Sequence, residues 1–499
     1  MRKTIVTIAA LGALAITACV SDTPLTPRTA PTAPGTGTVT ASAVTAAPVA
    51  NADLASIPQS NRYLVVFKAG SSAADAISAE LRANGGQLEG LYQALGFAVV
   101  SGISPQAAAR LASATNVSSV EPDVEFSIAR PIETEAVDMS AVNLESAAAP
   151  QTAALFSRQW NMRAIAANVA WAGGALGSSN VSVAILDTGI DYLWPDLAGR
   201  VDLTRSISLR PDEDARQQTW FGALNRHTIT DLNGHGTLVS SIVASNATFF
   251  AGVTSRTTLF GVKVCTVFGS CSTSAILNGI VYAVDHGADV INMSLGGAFP
   301  KNAAPGFVSV INRVFNYANT HGTLIVVAAG NESSDIDHNG NVYNTYCNTP
   351  NVVCVSATGP TAATTSAGPF TNPDAIAPYT NFGRSAISVA APGGGVTTAN
   401  AFVSGPCSST ALLVDTTGTI VRPLCPLPGL FLLRGAGTSF SSPHVAGVAA
   451  AVIAARGRAN PAQVRAILEQ TADDLGEPGS DPFYGRGRVN AARAVGAIP

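Results

Sequence analysis

Charge is scarce in this chain: 12% of its 499 residues are Asp, Glu, Lys or Arg, and 28 basic against 32 acidic residues leave a formal net charge of −4. That balance provides no electrostatic footprint for nucleic acid and no polybasic patch for a membrane surface. Histidine occurs six times and cysteine seven times. No cysteine falls in a C-x-x-C pair or stands near a histidine at ligand spacing, so the chain lacks the pattern of a zinc site. Aromatic residues, at 6%, are also few. What is plentiful is Gly, 46 residues, together with Ala, a composition that suits close packing of helices on a sheet. The length is ample for roughly two or three domains and a large core.

The organisation changes along the chain. Met1-Arg2-Lys3 is basic, Thr4 to Ile16 is apolar but too short to span a bilayer comfortably, and Cys19 follows, so residues 1–18 read as an export signal. Residues 19–59, rich in Pro, Thr and Ala, read as a disordered tether. Over 60–128 the patterns predict strand Tyr63–Phe67, helix Ala73–Ala83, strands Leu88–Tyr92 and Phe97–Val100, helix Pro105–Ala114 and an extended segment Val117–Phe126. That β-α-β-β-α-β order is ferredoxin-like. Residues 129–157 are Ala-rich and weakly patterned, an exposed linker. In 158–499 apolar β runs alternate with helices. Strands are expected at Val181–Asp187, Thr258–Val264, Asp289–Leu295, Thr323–Ala329, Val352–Ala357 and Ala386–Ala391. Helices are expected from His235, at Ser274–His286 and Gly306–Thr320, from Ser439, and at Pro461–Gln470. The alternation predicts an α/β fold, a doubly wound mostly parallel sheet with helices on both faces. Arg205–Asp231, 360–380 and 393–436 read as insertions.

Three residues stand out for chemistry. Gly437-Thr438-Ser439-Phe440-Ser441-Ser442-Pro443-His444-Val445-Ala446-Gly447 sets a small serine where free helix N–H groups gather, with Gly437 allowing close backbone approach. Alone, Ser439 reads as a helix N-cap. Asp187 closes a continuous apolar β run before a glycine turn and alone reads as a turn former. His235 lies between Gly234 and Gly236 at the start of a helical stretch and alone reads as a surface or helix-start residue. Together the three supply nucleophile, base and the carboxylate that fixes the base's tautomer, the roles acyl transfer needs.

The order Asp, His, Ser and the segments "AILDTGID", "NGHGT" and "GTSFSSPHVAG" resemble those of the subtilisin-like serine proteases, the subtilases, over roughly residues 158–497. The resemblance implies a subtilisin-like serine endopeptidase acting on protein or peptide substrates through an acyl-enzyme, as a monomer and with no cofactor required for the chemistry. It implies that Asn331, closing the strand Thr323–Ala329 with Gly330, donates to the oxyanion together with the Ser439 N–H. Ser294, Leu295, Gly296 and Gly297, in a segment like "NMSLGG", and Ala328, Ala329 and Gly330 would bind the peptide between small or apolar walls.

Residues 60–128 resemble the family's inhibitory propeptide, which would make the chain a zymogen carrying its own inhibitor and 129–157 its processing linker. Ile16-Thr17-Ala18-Cys19 resembles a bacterial lipobox, implying a lipid-modified Cys19 and an exported protein, held at an outer or cell-surface membrane or secreted. Structural calcium, frequent in the family, has no assignable site, since the loop Asn246 to Gly252 shows no evident oxygen set. Cys265 and Cys271, Cys347 and Cys354, and Cys407 and Cys425 form sequence-local pairs that suggest disulfides in an exported setting, although six cysteines permit other connectivities. Phe440 stands where many members have Met, and Leu238-Val239-Ser240-Ser241 departs from "HVAG" after His235-Gly236-Thr237. Asp191 and Asp196 read as turn or surface carboxylates, and His444 as a packed residue. Two rival readings keep the same fold: a catalytically silent surface-binding protein, and a maturation protease dedicated to one partner.

Overall fold

Seven strands make one parallel sheet, in the order Val389–Pro392, Val352–Thr358, Leu324–Ala328, Val290–Met293, Ser182–Asp187, Thr258–Lys263 and Ile207–Ser208. The computed structural model describes residues 61–128, 133–136, 149–302, 304–344, 346–415, 419–425, 431–457 and 460–498. All lie in the compact unit Pro48–Pro499. The expectations for the signal 1–18, the tether 19–59 and Cys19 fall outside the described residues, as does much of the linker 129–157.

The central strands are Val, Ile, Leu and Ala almost throughout because both faces are covered. Ala184, Leu186, Ile291 and Val327 pack against the helices Thr273–Asp285 and Pro305–Thr320. Val183, Ile185, Val290 and Val326 face the other way, toward the helices His235–Val243, Thr438–Arg456 and Pro461–Gln470. Thr438–Arg456 is long and apolar enough to cross a membrane, yet it is buried as a core helix. From Ser182–Asp187 the chain enters the sheet on one side, at the edge strand Ile207–Ser208 and then at Thr258–Lys263 between the two, and only then crosses to the other side, at Val290–Met293. Strand order reverses there, the place where ligands of open parallel sheets gather, beyond the carboxyl ends of the strands.

All three expected insertions form structure, 360–380 as a short pairing of Ala362–Ala363 with Phe370–Thr371. Arg205–Asp231 supplies the seventh strand, Ile207–Ser208, and the helix Pro211–Phe221. Segment 393–436 folds into Val403–Pro406 paired with Phe431–Gly435, and the Cys407–Cys425 disulfide staples it. Glu133–Ala136 adds to the free edge of Phe431–Gly435. Cys265–Cys271 and Cys347–Cys354 form the other two bridges.

Residues 61–128 form an antiparallel sheet in the order Gln87–Tyr92, Phe97–Ser101, Arg62–Phe67 and Val117–Pro122, with helices Ala74–Asn84 and Pro105–Ala112. Strand alternation divides its faces: Tyr63, Val65 and Phe67 pack on its own helices, whereas Leu64, Val66, Phe97 and Val99 pack on the large domain. The expected single segment Val117–Phe126 is instead two strands, Val117–Pro122 and Glu125–Ser127. The break falls at buried Asp123, whose carboxylate accepts from Ser274 N (3.0 Å), Ser274 Oγ (2.6 Å) and Ser272 Oγ. Glu121 accepts from Gly306 N and Phe307 N at 2.7 and 2.9 Å. Each carboxylate thus meets the N-terminus of a helix, where unpaired N–H groups favour an anion.

Candidate active site

Asp187 ends the strand Ser182–Asp187 and is fully buried. Its Oδ1 accepts from Thr188 N at 2.7 Å and lies 2.8 Å from His235 Nδ1. That contact requires the proton on Nδ1, which leaves Nε2 with the free lone pair. Nε2 and Asp187 Oδ2 are both buried without a hydrogen-bond partner. The imidazole must come close to the Asp187 turn, and Gly236 permits it. A Cβ there would run into Gly189 O and stand 3.1 Å from Asp187 Oδ1.

The loop before His235 is organised by Asp231, a buried carboxylate that sequence reasoning did not single out. Oδ1 accepts from Thr188 Oγ1, Asn233 N and Gly234 N, each at 2.9 Å, and Oδ2 from Thr237 N (2.9 Å) and Thr237 Oγ1 (2.6 Å). It caps the histidine helix and ties it to the residue after Asp187. Its position four residues before the histidine, at a helix start, is the signal that could have found it. Lys263, opposite Asp187 on the neighbouring strand, is buried near Asp231 and Glu213, and its Nζ donates to Thr230 O at 2.9 Å. Burial lowers its pKa, an effect that nearby Glu213 and Asp231 oppose.

Ser439 is half-buried, second in the helix Thr438–Arg456, so its N–H has no partner within the helix. The adjacent Phe440 ring lies 5.7 Å from the His235 ring. Pro443 cannot offer an N–H to the Ser439 carbonyl four residues back. Ser294 Oγ fills that role at 2.6 Å, while accepting from Asn292 Nδ2 at 3.0 Å. Gly437 does not face the steric demand expected of it. A Cβ there would stand 3.6 Å from Asn331 Nδ2, ordinary contact, so the glycine keeps the space before that amide open rather than relieving a clash.

Asn331 is aimed by its neighbours. Its Oδ1 accepts from Thr438 N (2.9 Å) and Thr438 Oγ1 (3.0 Å), which commits the oxygen end and leaves Nδ2 as the end able to donate. Gly330 holds φ +98°, and any Cβ would strike Asn381 Nδ2. Asn381, also not anticipated, accepts from Glu332 N and Ser334 N and donates to Ala329 O, holding the turn that carries Asn331.

A small pocket of about 40 Å³ lies before Ser439, lined by Leu295, Gly296, Ala328, Gly330, Asn331, Glu332 and Thr438 together with Ser127 and Ile128. Of the expected peptide-binding residues, Ser294 and Ala329 are fully buried behind it. Gly297 lies under the Phe126 ring, which would collide with a Cβ. Glu125–Ser127 pairs antiparallel with Ser270–Ser272, and Ile128 N donates to Gly269 O at 2.9 Å. Phe126 sits among Phe299 and Tyr346, with centroids 6.3 and 6.4 Å away. The chain therefore lies in the cleft as an added strand.

Asp191 and Asp196 are not surface carboxylates. Both are buried, because each has enough donors to satisfy a carboxylate out of water. Asp191 pairs with Arg226 at 3.0 Å and accepts from Ser409 N at 2.8 Å. Asp196 accepts from Phe249 N at 2.8 Å, Phe250 N at 3.3 Å and Trp194 Nε1 at 3.2 Å, and burial pushes its carboxyl up to about 6. The loop 246–252 therefore offers this carboxylate N–H groups rather than a cation, and no cluster of three His, Cys, Asp or Glu side chains suited to a metal occurs among the described residues. The residues do not fit a calcium cage there. His444 is buried, with Nδ1 2.7 Å from Phe440 O and Nε2 2.8 Å from Asn161 Nδ2, and burial pulls it down to about 4.

The model of the subtilase family matches residues 178–487. A thermophilic serine proteinase from Bacillus sp. (strain AK1) is 32% identical over 322 residues, which are 64% of this chain and 62% of that protein's length. Thermitase from Thermoactinomyces vulgaris is 30% identical over 342 residues, 68% of this chain and 96% of the relative. Among solved structures, the epidermin leader peptide processing serine protease of Staphylococcus aureus superposes with a TM-score of 0.66 at 21% identity, covering 87% of this chain and 97% of its own. With the parallel sheet and the buried Asp–His pair, these matches establish that the chain belongs to the subtilase family of serine proteases.

Proposed function

We propose that the chain is an exported serine endopeptidase, made as a precursor that its own residues 60–128 inhibit. The observation that carries this is the shared pocket: Ser439, Asn331 and the incoming Ser127 and Ile128 line the same cavity. Ser439 Oγ attacks the peptide carbonyl while His235 Nε2, the nitrogen free of Asp187, takes its proton. Asp187 holds the imidazole and stabilises its cation. The carbonyl oxygen, now negative, receives Asn331 Nδ2 and the Ser439 N–H. Collapse expels the amine, which leaves with the proton from Nε2, and water then releases the acyl group by the same route reversed.

Two buried carboxylates at helix starts and the paired strand Glu125–Ser127 support an inhibitory role for the N-terminal domain. Export, with Cys19 as a lipid anchor, rests on the basic and apolar composition of residues 1–18. Ser439→Ala should abolish both peptide hydrolysis and self-processing, and retained processing would sink the proposal. A fluorophosphonate probe separates it from a silent binding protein, which would not label once the N-terminal domain is removed. Cleavage of a broad peptide library would exclude a maturation protease with a single partner.

A further inference from the structure

The chain leaves the N-terminal domain along one wall of the cleft and reappears along another. Glu125–Ser127 pairs with Ser270–Ser272, and Ile128 reaches the pocket beside Ser439. Only residues 129–132 separate Ile128 from Glu133, where a second paired strand begins. Glu133–Ala136 runs antiparallel to Phe431–Gly435, with Glu133 opposite Arg434 and Glu135 opposite Leu432. Phe431–Gly435 belongs to both catalytic elements. It leads directly into the helix start at Gly437 and Thr438, and Leu433 occupies the space a Cβ on Gly234, beside His235, would need. A peptide extended past the nucleophile, away from the N-terminal domain, meets this edge next.

Charge distinguishes the edge from an ordinary strand pairing. Glu135 is held by two arginines from separate parts of the chain, Arg158 at 2.8 Å and Arg434 at 3.5 Å. Arg434 comes from the disulfide-stapled insertion, and Arg158 from the segment that follows the linker. The register sets Glu135 opposite Leu432, two residues from Arg434 and therefore on the same strand face.

We propose that Phe431–Gly435 is a substrate-binding edge for the leaving-group side of the peptide, with Arg158 and Arg434 forming a subsite for an acidic side chain. The proposal rests on the endopeptidase reading above. In the uncut chain the occupant is Glu133–Ala136; in the processed enzyme it is the leaving-group half of an acidic peptide, added as a third strand. Main-chain hydrogen bonds supply affinity and the two arginines supply selectivity. The ion pairs are partly exposed, with side-chain exposures of 22% for Arg158, 15% for Arg434 and 32% for Glu135, so the selectivity is moderate.

The test uses the processed full-length enzyme, its N-terminus fixed by intact mass. Internally quenched peptides share the residues before the cut and carry Glu, Gln or Arg at successive positions after it. A cut beside Ile128 leaves Glu133–Ala136 on the new N-terminus, so a second cut must carry the N-terminus beyond residue 136 to free the edge. At one downstream position kcat/KM should be about tenfold higher for Glu than for Arg, mainly through KM, and Arg434→Glu should invert that ratio. Equal rates for Glu, Gln and Arg at every downstream position would overturn the proposal. So would a ratio that Arg434→Glu leaves in place, or an enzyme whose N-terminus precedes residue 133 and still fills the edge itself. A short peptide anilide, with no residues after the cut, separates the two levels. If wild-type enzyme leaves it intact, the endopeptidase reading fails and takes this proposal with it.

Discussion

The nucleophile's carbonyl depends on a hydroxyl from another strand, because a proline stands where the helix would have supplied an N–H. Ser294→Ala removes that hydroxyl and strands three buried groups: the Ser439 carbonyl, which Ser294 Oγ reaches at 2.6 Å, Asn292 Nδ2, which donates to it at 3.0 Å, and the Ser442 hydroxyl, 2.9 Å away. Each unsatisfied buried group costs about 1–3 kcal/mol, so the substitution should destabilise by at least about 3 kcal/mol. Pro443→Ala restores an N–H facing the same carbonyl, whose two lone pairs can accept both donors. In a Pro443→Ala background, Ser294→Ala should therefore cost about 1–2 kcal/mol less than it does alone. The assay is urea unfolding of the four chains of this cycle, all carrying Ser439→Ala so that self-digestion cannot end the transition. The Ser439 carbonyl belongs to the backbone and survives that change. Additivity of the two substitutions within about 0.5 kcal/mol would refute the substitution of hydroxyl for N–H.

Asn331→Leu should lower kcat by about 10²–10³ with KM nearly unchanged, since the amide acts only on the developing oxyanion. An unchanged kcat would remove Asn331 from that role. Asp231→Asn keeps one acceptor oxygen but turns an NH2 toward Thr237 N and Thr237 Oγ1, so two buried donors lose their acceptor; we expect a stability loss of about 2–6 kcal/mol and a fall in kcat that exceeds any rise in KM. Equal kcat well below the melting temperature would show that the loop does not position His235. Two buried groups make opposing contributions with pH. His444, lowered from 6.5 to about 4, contributes stability that is present above pH 6.5 and lost as pH falls toward 4, about 3 kcal/mol in all. Asp196, raised from 3.8 to about 6, contributes stability present below pH 3.8 and lost as pH rises through 6. Between pH 4 and 6 the two slopes nearly cancel. Relative to the parent chain, His444→Gln should therefore gain stability as pH falls through this window and Asp196→Asn should lose it. Melting temperatures in the Ser439→Ala background check this, and parallel curves for all three chains would contradict it.

What was legible in the sequence was whatever a local pattern encodes. Val181–Asp187 announces itself as a doubly covered strand because its apolar run is continuous, and the observed strand, Ser182–Asp187, differs by one residue. The helix at Ser439 and the turns at His235 and Asn331 were legible because glycine marks them. Elements whose partners lie far away in sequence were not. Ile207–Ser208 is too short to show any period, and becomes a strand only because Thr258–Lys263 presents a free edge. Glu133–Ala136, Glu-Thr-Glu-Ala, has no β pattern at all, and Phe431–Gly435 imposes its pairing. Burial of Asp191, Asp196 and Asp231 was illegible for the same reason. A carboxylate in a polar stretch looks solvated until the donors around it are known, and those donors come from residues such as Ser409, Phe249 and Thr188.

Asp191 shows why the insertions cannot be treated as attachments to a finished catalytic domain. It lies in the turn after Asp187, its N–H donates to Thr237 Oγ1 in the histidine helix at 3.0 Å, and its carboxylate holds Arg226 from one insertion and Ser409 from another. One buried carboxylate thus joins both insertions to the turn and helix that carry the Asp–His pair. The energetic consequence is asymmetric. Removing Arg226 leaves a buried charge without its counter-ion, at a cost of about 3–5 kcal/mol, and removing the Ser409 hydroxyl costs about 1–3 kcal/mol, whereas removing exposed contacts of an insertion costs little. Substitution is therefore restricted at the joint and at buried Leu432 and Leu433, and tolerated at partly exposed Arg434, where the strand meets the incoming chain. Substrate choice can change there while the histidine stays where Asp187 and Asp231 hold it.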